Sequence, residues 1–300
     1  MGRRGAPGGP DGLAVVDKEA GWTSHDVVAK ARGLLGTRKV GHSGTLDPDA
    51  TGVLLLGVGK VTRLLRYLGL PSKTYTGVVV LGRATSTLDA SGEVTGTWDM
   101  SGVRLADVQA AAEPLTGDIL QVPPMVSAIQ VDGRRLHQLA REGIEIEREP
   151  RPVTVHRFVV DDETEPGHFP IEVTCSSGTY IRSLAADLGT ALGGGAHLRD
   201  LRRTAIGSFS ATDGVPIDDL TPDHLLTPAA ALRDVASVTA SEEVVVAVGH
   251  GKVLEREELG ASGPGPWRVL APDGALLAVY EAHRGTTAKP SVVLAPTDPA

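Results

Sequence analysis

A single cysteine, Cys175, stands in the 300 residues, which excludes an internal disulfide and any multi-cysteine metal site. That usage suits a reducing compartment, and a cytoplasmic location is expected. No apolar run approaches the roughly 18 residues that a membrane span needs. Met1 to Gly12 carries Arg3 and Arg4 with no apolar stretch behind them. It reads as a disordered tail rather than a signal peptide. Nucleotide and hydrolase signatures are missing too. Gly57-Val58-Gly59-Lys60 fails as a phosphate loop, because Leu54 stands five before Gly59 and Val61 follows the lysine. Gly41-His42-Ser43-Gly44 is one residue short of a nucleophile elbow. The nine histidines show neither H-E-x-x-H nor Cys/His ligand spacing, so no metal site is expected. There is no internal repeat of fixed period.

What is present centres on Gly41 to Gly52, GHSGTLDPDATG, which runs directly into Val53-Leu54-Leu55-Leu56. Glycine and proline at that density mark an irregular loop. Its entry into a buried run anchors it, and polar loops on rigid supports are where chemistry tends to sit. Overall net charge is −8, yet Gly21 to Arg83 holds nine basic residues against three acidic ones. A basic field around the loop can engage phosphates despite the acidic average.

Taken in order, Leu13 to Lys18 predicts a buried strand. Thr23 and Asp26 have capping-box spacing and open a helix whose apolar face is Val27, Val28, Ala31, Leu34 and Leu35, with Gly36 at its end. Val61, Leu64, Leu65 and Leu68 predict a helix over Lys60–Leu68, with Lys60, Arg63 and Arg66 on the opposite, wet side. Thr74 to Gly82 predicts a strand, and Thr85 to Gly92 a loop or wide hairpin turn. Helices are expected over Leu105–Leu115, Arg134–Arg141 and Thr179–Leu192. Gln121 to Met125 must be extended, because each proline biases the residue before it away from helix. Val153–Val160 and Phe169–Cys175 read as paired strands, and His197–Ser208 as a basic segment. A short helix is expected near Thr227–Arg233, with a domain boundary in that Pro- and Asp-punctuated region. The tail predicts short strands at Glu243–Val246, Trp267–Leu270, Leu276–Tyr280 and Ser291–Leu294, the pattern of a small β-barrel-like domain.

Three sites stand out chemically. Asp47 is a carboxylate on the Gly-rich loop. Tyr75 follows Lys73 at a strand start, where an aromatic plate can face a cleft. Arg182 falls in the first turn of a helix, where the macrodipole disfavours a cation, so an anionic partner is expected. Basic and apolar residues alternate from Ala196 to Arg203.

GHSGTLDPDATGVLLLGVGKVTR resembles the catalytic-loop motif of the TruB family of tRNA pseudouridine-55 synthases. DKEAGWTSHDVV, SKTYTGVVVLGRATSTLDASG, QVPPMVSAIQVDGRRLHQLAREG, SSGTYIRSLAADLG and AHLRDLRRTAIG resemble the family's successive blocks, in the family's order. Together they span about Leu13 to Gly207, and the tail is similar to a small RNA-binding domain of PUA type. Glu19, Ser86 and Val126 depart from the pattern, at the cleft edge or substrate surface.

The resemblance implies an α+β pseudouridine synthase fold: a mixed, largely antiparallel central sheet flanked by helices, plus a β-rich C-terminal PUA-like domain. The implied division is a tail over 1–12, a catalytic domain over 13–234 and an RNA-binding domain over 235–300. The implied reaction isomerises uridine 55 in the tRNA T-loop to pseudouridine, by base flipping, cleavage of the C1′–N1 bond and rejoining of C1′ to C5. It needs no cofactor. Asp47 fits the essential carboxylate, as nucleophile or as base, and both remain open. Arg182 is the cation assigned to keep it ionised, and Tyr75 the aromatic that stacks on the uracil. Leu201 matches a pocket wall and His42 a histidine holding extruded nucleotides. Asp89 contacts substrate or supports the loop, and Tyr180, Lys18 and Arg202 complete the expected substrate-binding set. The Lys/Arg-rich segments supply phosphate contacts. The partner is tRNA through its T-arm, with no membrane and no obligatory protein partner, and a monomer is expected. Alternatives are a tRNA-binding and refolding factor, or a pseudouridine synthase acting on another RNA.

Overall fold

A computed structural model of the chain describes residues 9–127, 129–131 and 133–294. Most of the tail expected over 1–12 lies outside the described residues. The chain forms two compact units: Met1–Pro48 with Gly52–Pro71 and Gly207–Ala300, and Asp49–Thr51 with Ser72–Ile206. Their sheets are mixed but largely antiparallel and are flanked by helices.

In the first unit the strand Thr51–Val58 pairs antiparallel with Gly12–Lys18, with Lys18 opposite Gly52 and Gly12 opposite Val58. It also pairs antiparallel with Val40–His42, with His42 opposite Leu56. Val53 to Val58 are all buried, which is why this strand reads as an unbroken apolar run rather than an alternating one. The helix Ser24–Leu34 begins with the expected capping box: Thr23 Oγ1 accepts from the Asp26 amide at 3.1 Å, and Asp26 Oδ2 from the Thr23 amide at 3.0 Å. Val27, Val28 and Ala31 then share one face, packed with Leu35 on Ala14, Val16, Leu54 and Leu56.

Lys60–Leu68 starts as a 3-10 helix, Gly59–Leu64, and becomes α-helical only over Leu65–Leu68. A three-residue spacing of cations fits the tighter helix, in which i and i+3 eclipse. The tail builds a five-stranded sheet in the order Ala236–Thr239, Trp267–Leu270, Leu276–Ala282, Thr287–Val293, Leu254–Glu255. One tail expectation fails: Glu243–Val246 is not a strand but belongs to the helix Glu242–Gly249. Ser241 caps that helix by accepting from the Val244 amide, and Glu242 and Glu243 complement its N-terminal dipole. These local terms, with Val244 and Val248 buried in the tail core, override the strand preference of three consecutive valines.

In the second unit five strands run antiparallel in the order Ala196–Ile206, Lys73–Leu81, His168–Cys175, Arg151–Val160, Gly117–Gln121. The expected basic segment 197–208 is thus mostly a strand. The helix Ile181–Ala191 buries Ile181, Leu184, Ala185 and Leu188. Arg83–Thr85 and Val94–Thr97 form a hairpin around the expected turn.

Candidate active site

The expected site residues divide between the units, and each set has its own framework. In the first unit the loop connects the antiparallel strands Val40–His42 and Thr51–Val58. The Ser43 amide donates to the Leu55 carbonyl at 2.9 Å, and Gly44 turns the chain with φ +89°. The Leu46 amide donates to Ser24 Oγ at 2.9 Å, and Ser24 Oγ donates to the Leu46 carbonyl at 3.2 Å. Ser24 is buried in the first turn of the capped helix, so that helix grips the residue before Asp47. The Pro48 carbonyl accepts from the Gly21 amide at 2.9 Å and from Lys18 Nζ at 2.9 Å. Asp47 is half-buried between these two tied peptides.

Lys18 is fully buried, at 0% exposure, and this is possible because its ammonium meets carbonyls. Nζ donates to Glu19 O at 2.9 Å and Trp22 O at 2.7 Å as well as to Pro48 O. Lys18 fastens the Trp22 turn to the Asp47 loop. Lys18→Met takes this donor from the Glu19 and Trp22 carbonyls, at about 1–3 kcal/mol each and not additively, while the Pro48 carbonyl keeps the Gly21 amide. Its melting temperature is expected to fall by about 10 °C; a thermal melt within 2 °C of the parent would show that the ammonium does not hold the turn. His42 packs edge-to-face on His25, with ring centroids 5.4 Å apart and planes at 84°. No sequence pattern pointed to His25.

In the second unit Tyr75 is buried on the strand Lys73–Leu81, opposite Val173 on one side and Arg203 on the other. The Ala196–Ile206 strand shifts register twice against it, between Arg199 and Arg202 and between Arg203 and Ala205, with one extra residue each time. Such bulges re-aim side chains. Leu201 lies in the first of them, half-buried, after Asp200 at φ +54°. The strand passes so close that a Cβ on Gly77 would stand 3.2 Å from Leu198 Cδ1 and 3.3 Å from the Arg199 carbonyl. Arg202 Nη1 donates to Thr51 Oγ1 at 3.4 Å.

Arg182 is 4% exposed and has the anionic partner its helix position demanded: Nη1 lies 3.4 Å from Asp89 Oδ2. Nη1 also donates to the Thr87 carbonyl at 2.8 Å and Nη2 to the Val126 carbonyl at 2.9 Å. Asp89 Oδ1 accepts from Thr87 Oγ1 (2.6 Å), the Ser91 amide (3.1 Å) and Ser91 Oγ (2.6 Å). Asp89 therefore supports its loop. Leu88 is held at φ +64°, a left-handed conformation costly for leucine, by pairing on both sides of Leu198. Tyr180, the N-cap of the Arg182 helix, has its backbone clamped by buried Gln121: Oε1 accepts from the Tyr180 amide at 2.8 Å, and Nε2 donates to its carbonyl at 3.1 Å. Gln121 carried no sequence signal beyond its place in an extended segment. The three departures act through backbone or local turns. Arg182 uses the Val126 carbonyl, Lys18 the Glu19 carbonyl, and Ser86 Oγ accepts from the Glu93 amide at 3.2 Å.

Beneath Tyr75, buried Lys73 stands opposite Cys175. Burial, with Arg203 nearby, lowers the Lys73 ammonium to about 8, and burial pushes the Cys175 thiol up to about 11. The raised thiol contributes stability that is full below its unfolded value near 9.0 and is lost as pH rises through about 11. Lys73 acts oppositely, its cost fading as pH rises from about 8 to 10.5. Cys175→Ser removes the first effect, and with it the smaller interaction between the thiol and Lys73. Its melting temperature relative to the parent is expected to climb between pH 9 and 11, by the equivalent of roughly 2–3 kcal/mol. A flat difference over that range counts against the raised thiol.

Comparison with known proteins follows the same lines. Residues 32–181 match the model of the TruB family pseudouridylate synthase N-terminal domain, and 182–235 that of the tRNA pseudouridylate synthase B C-terminal domain. The chain is 47% identical over 288 residues to tRNA pseudouridine synthase B of Streptomyces coelicolor, covering 92% of this chain and 95% of the relative. It is 46% identical over 297 residues to that of Thermobifida fusca, covering 95% and 99%. Among solved structures, a Cbf5-Nop10-Gar1 complex contains a chain that is similar at a TM-score of 0.76 and 26% identity, over 96% of this chain and 86% of that one. A chain of an H/ACA RNP bound to a substrate RNA containing 2′-deoxyuridine shares the fold at a TM-score of 0.73 and 24% identity, covering 98% and 92%.

Proposed function

Because this chain belongs to the TruB family of pseudouridylate synthases and is a tRNA pseudouridine synthase, an isomerase, we propose that its target is uridine 55 of the T-loop and that Asp47 is its essential carboxylate. The T-loop uridine is flipped out of its stack, at a cost of a few kcal/mol. The C1′–N1 bond breaks, the uracil turns, and C1′ joins C5. The C5 proton leaves and N1 is left protonated, so the product has the same atoms as the substrate. Tyr75 stacks on the uracil, Leu201 lines its pocket, and Arg182 keeps the essential carboxylate ionised. His42, Asp89, Tyr180, Lys18 and Arg202 bind the RNA or hold the segments that do. The enzyme acts in the cytoplasm as a monomer on the T-arm, without a protein partner. Residues 235–300 form an RNA-binding domain.

The observation that carries this reading is the anchoring of Asp47, with the Leu46 peptide tied to Ser24 and the Pro48 peptide to Lys18 and Gly21. A carboxylate positioned by its own backbone needs no reorganisation when the base arrives. The test uses tRNA transcripts carrying tritium at uridine C5. One tritium per tRNA is expected to be released, and none when the T-loop uridine alone is replaced by cytidine. Undiminished release from the cytidine transcript would place the target elsewhere.

A further inference from the structure

We propose that Arg38 and Lys39 form the phosphate-binding pair that seats the RNA backbone beside the catalytic loop, and that Arg63 and Arg66, the more regular basic pattern, do not take part. The inference rests on the reading above, that this loop receives a tRNA strand. It comes from sorting the cations between Lys30 and Arg66, the stretch around the loop, by what each already holds.

Lys30 pairs with Asp218 at 2.6 Å, and Arg32 Nη2 donates to the Val40 carbonyl at 3.0 Å. Arg63 Nη1 donates to the Val293 carbonyl at 2.7 Å, in the tail sheet. Arg66 bonds Glu281 and Ser291 of that sheet and Tyr67 beside it. Tyr67 Oη reaches the same Glu281 at 2.9 Å. Both arginines therefore brace the Gly59–Leu68 segment against the tail. Lys60 looks toward Asp11 at 4.0 Å.

Arg38 and Lys39 are both exposed, and among the described residues neither side chain has a hydrogen-bond or ion-pair partner. Their backbone, by contrast, is tightly held. The Gly59 amide donates to the Lys39 carbonyl at 2.7 Å, the Val40 amide to the Arg38 carbonyl at 3.1 Å, and the Lys39 amide to Thr37 Oγ1 at 3.3 Å. Two free cationic heads thus stand on a fixed turn. That turn leads straight into the strand Val40–His42, so Lys39 lies about 10 Å along the chain from His42. A polyanion whose nucleotide enters the loop meets uncompensated charge there, and phosphate contacts are the class of interaction that position a nucleic acid without reading its sequence.

Binding of an unmodified tRNA transcript, followed by fluorescence anisotropy between 50 and 200 mM KCl, tests this. Arg38→Gln and Lys39→Gln are each expected to weaken binding several-fold and to lower the slope of log Kd against log [KCl] by about 0.7–0.9, the effect of losing one phosphate contact. Arg63→Gln should leave the salt slope unchanged. Arg66→Gln should do so too while lowering the melting temperature. The proposal is overturned if the slopes of the Arg38 and Lys39 variants match the parent, or if Arg63→Gln lowers the slope as much as they do. Failure of the underlying reading looks different: the parent then binds tRNA yet forms no pseudouridine in it.

Discussion

Asp47→Asn is expected to bind tRNA like the parent and to form pseudouridine at least about 10⁴-fold more slowly. The amide has the carboxylate's shape but neither its charge nor its nucleophilicity or basicity. The peptides on either side of it are held through backbone atoms, which the substitution leaves in place. Leu46 is bound through its amide and carbonyl to Ser24, and Pro48 through its carbonyl to Lys18 and Gly21. The loss should therefore lie in the chemical step. Single-turnover tritium release, alongside an anisotropy titration with the same transcript, separates rate from affinity. A parent-like rate would remove Asp47 from the chemistry. A variant that binds and refolds tRNA but makes no pseudouridine leaves both an enzymatic and a refolding role standing.

Arg182→Met should be the most damaging change in the second unit, because this guanidinium joins three segments. It reaches Asp89 and the Thr87 carbonyl in one loop and the Val126 carbonyl in another, from the start of the helix Ile181–Ala191. Removing one partner of a buried pair strands the other. With Asp89 retaining 24% side-chain exposure, the cost is put at about 2–4 kcal/mol, below the full buried-pair range. The melting temperature should fall by roughly 5–15 °C, and the rate by about 10²–10³-fold, as when a single preorganised electrostatic group is lost. Arg182→Lys restores the charge but not the planar fork, and one ammonium cannot keep the same three acceptors. It should recover part of the stability and little of the rate. Full recovery by lysine would mean that charge alone matters at this position, and a parent-like melt for the methionine variant would show that the three contacts contribute little.

Much of this was legible in the residues because the responsible forces are local. Thr23 and Asp26 are three residues apart, and their capping box needs nothing else. The prolines after Val122 impose extension on their own. The anionic partner of Arg182 could be anticipated from its place in a helix's first turn, although not its identity, since Asp89 lies 93 positions away. Where local rules misled, a competing term can be named. Ser241 and two glutamates made a helix of a valine run. Arg63 and Arg66 are exposed as their spacing predicts, and they also bond the tail sheet, which the spacing could not announce.

By itself, then, the sequence determined the Gly-rich loop around Asp47, the helices that carry caps or apolar stripes, and the motif blocks whose resemblance to a known family implies the reaction class. Each is written in residue identity or short-range periodicity. The tertiary structure alone decided that Lys18 closes three carbonyls around the Asp47 loop, that Gln121 clamps Tyr180, that two bulges place Leu201, and which cations remain free. Those outcomes depend on donors and acceptors brought together across 30 to 230 positions, where no local pattern can announce the partner.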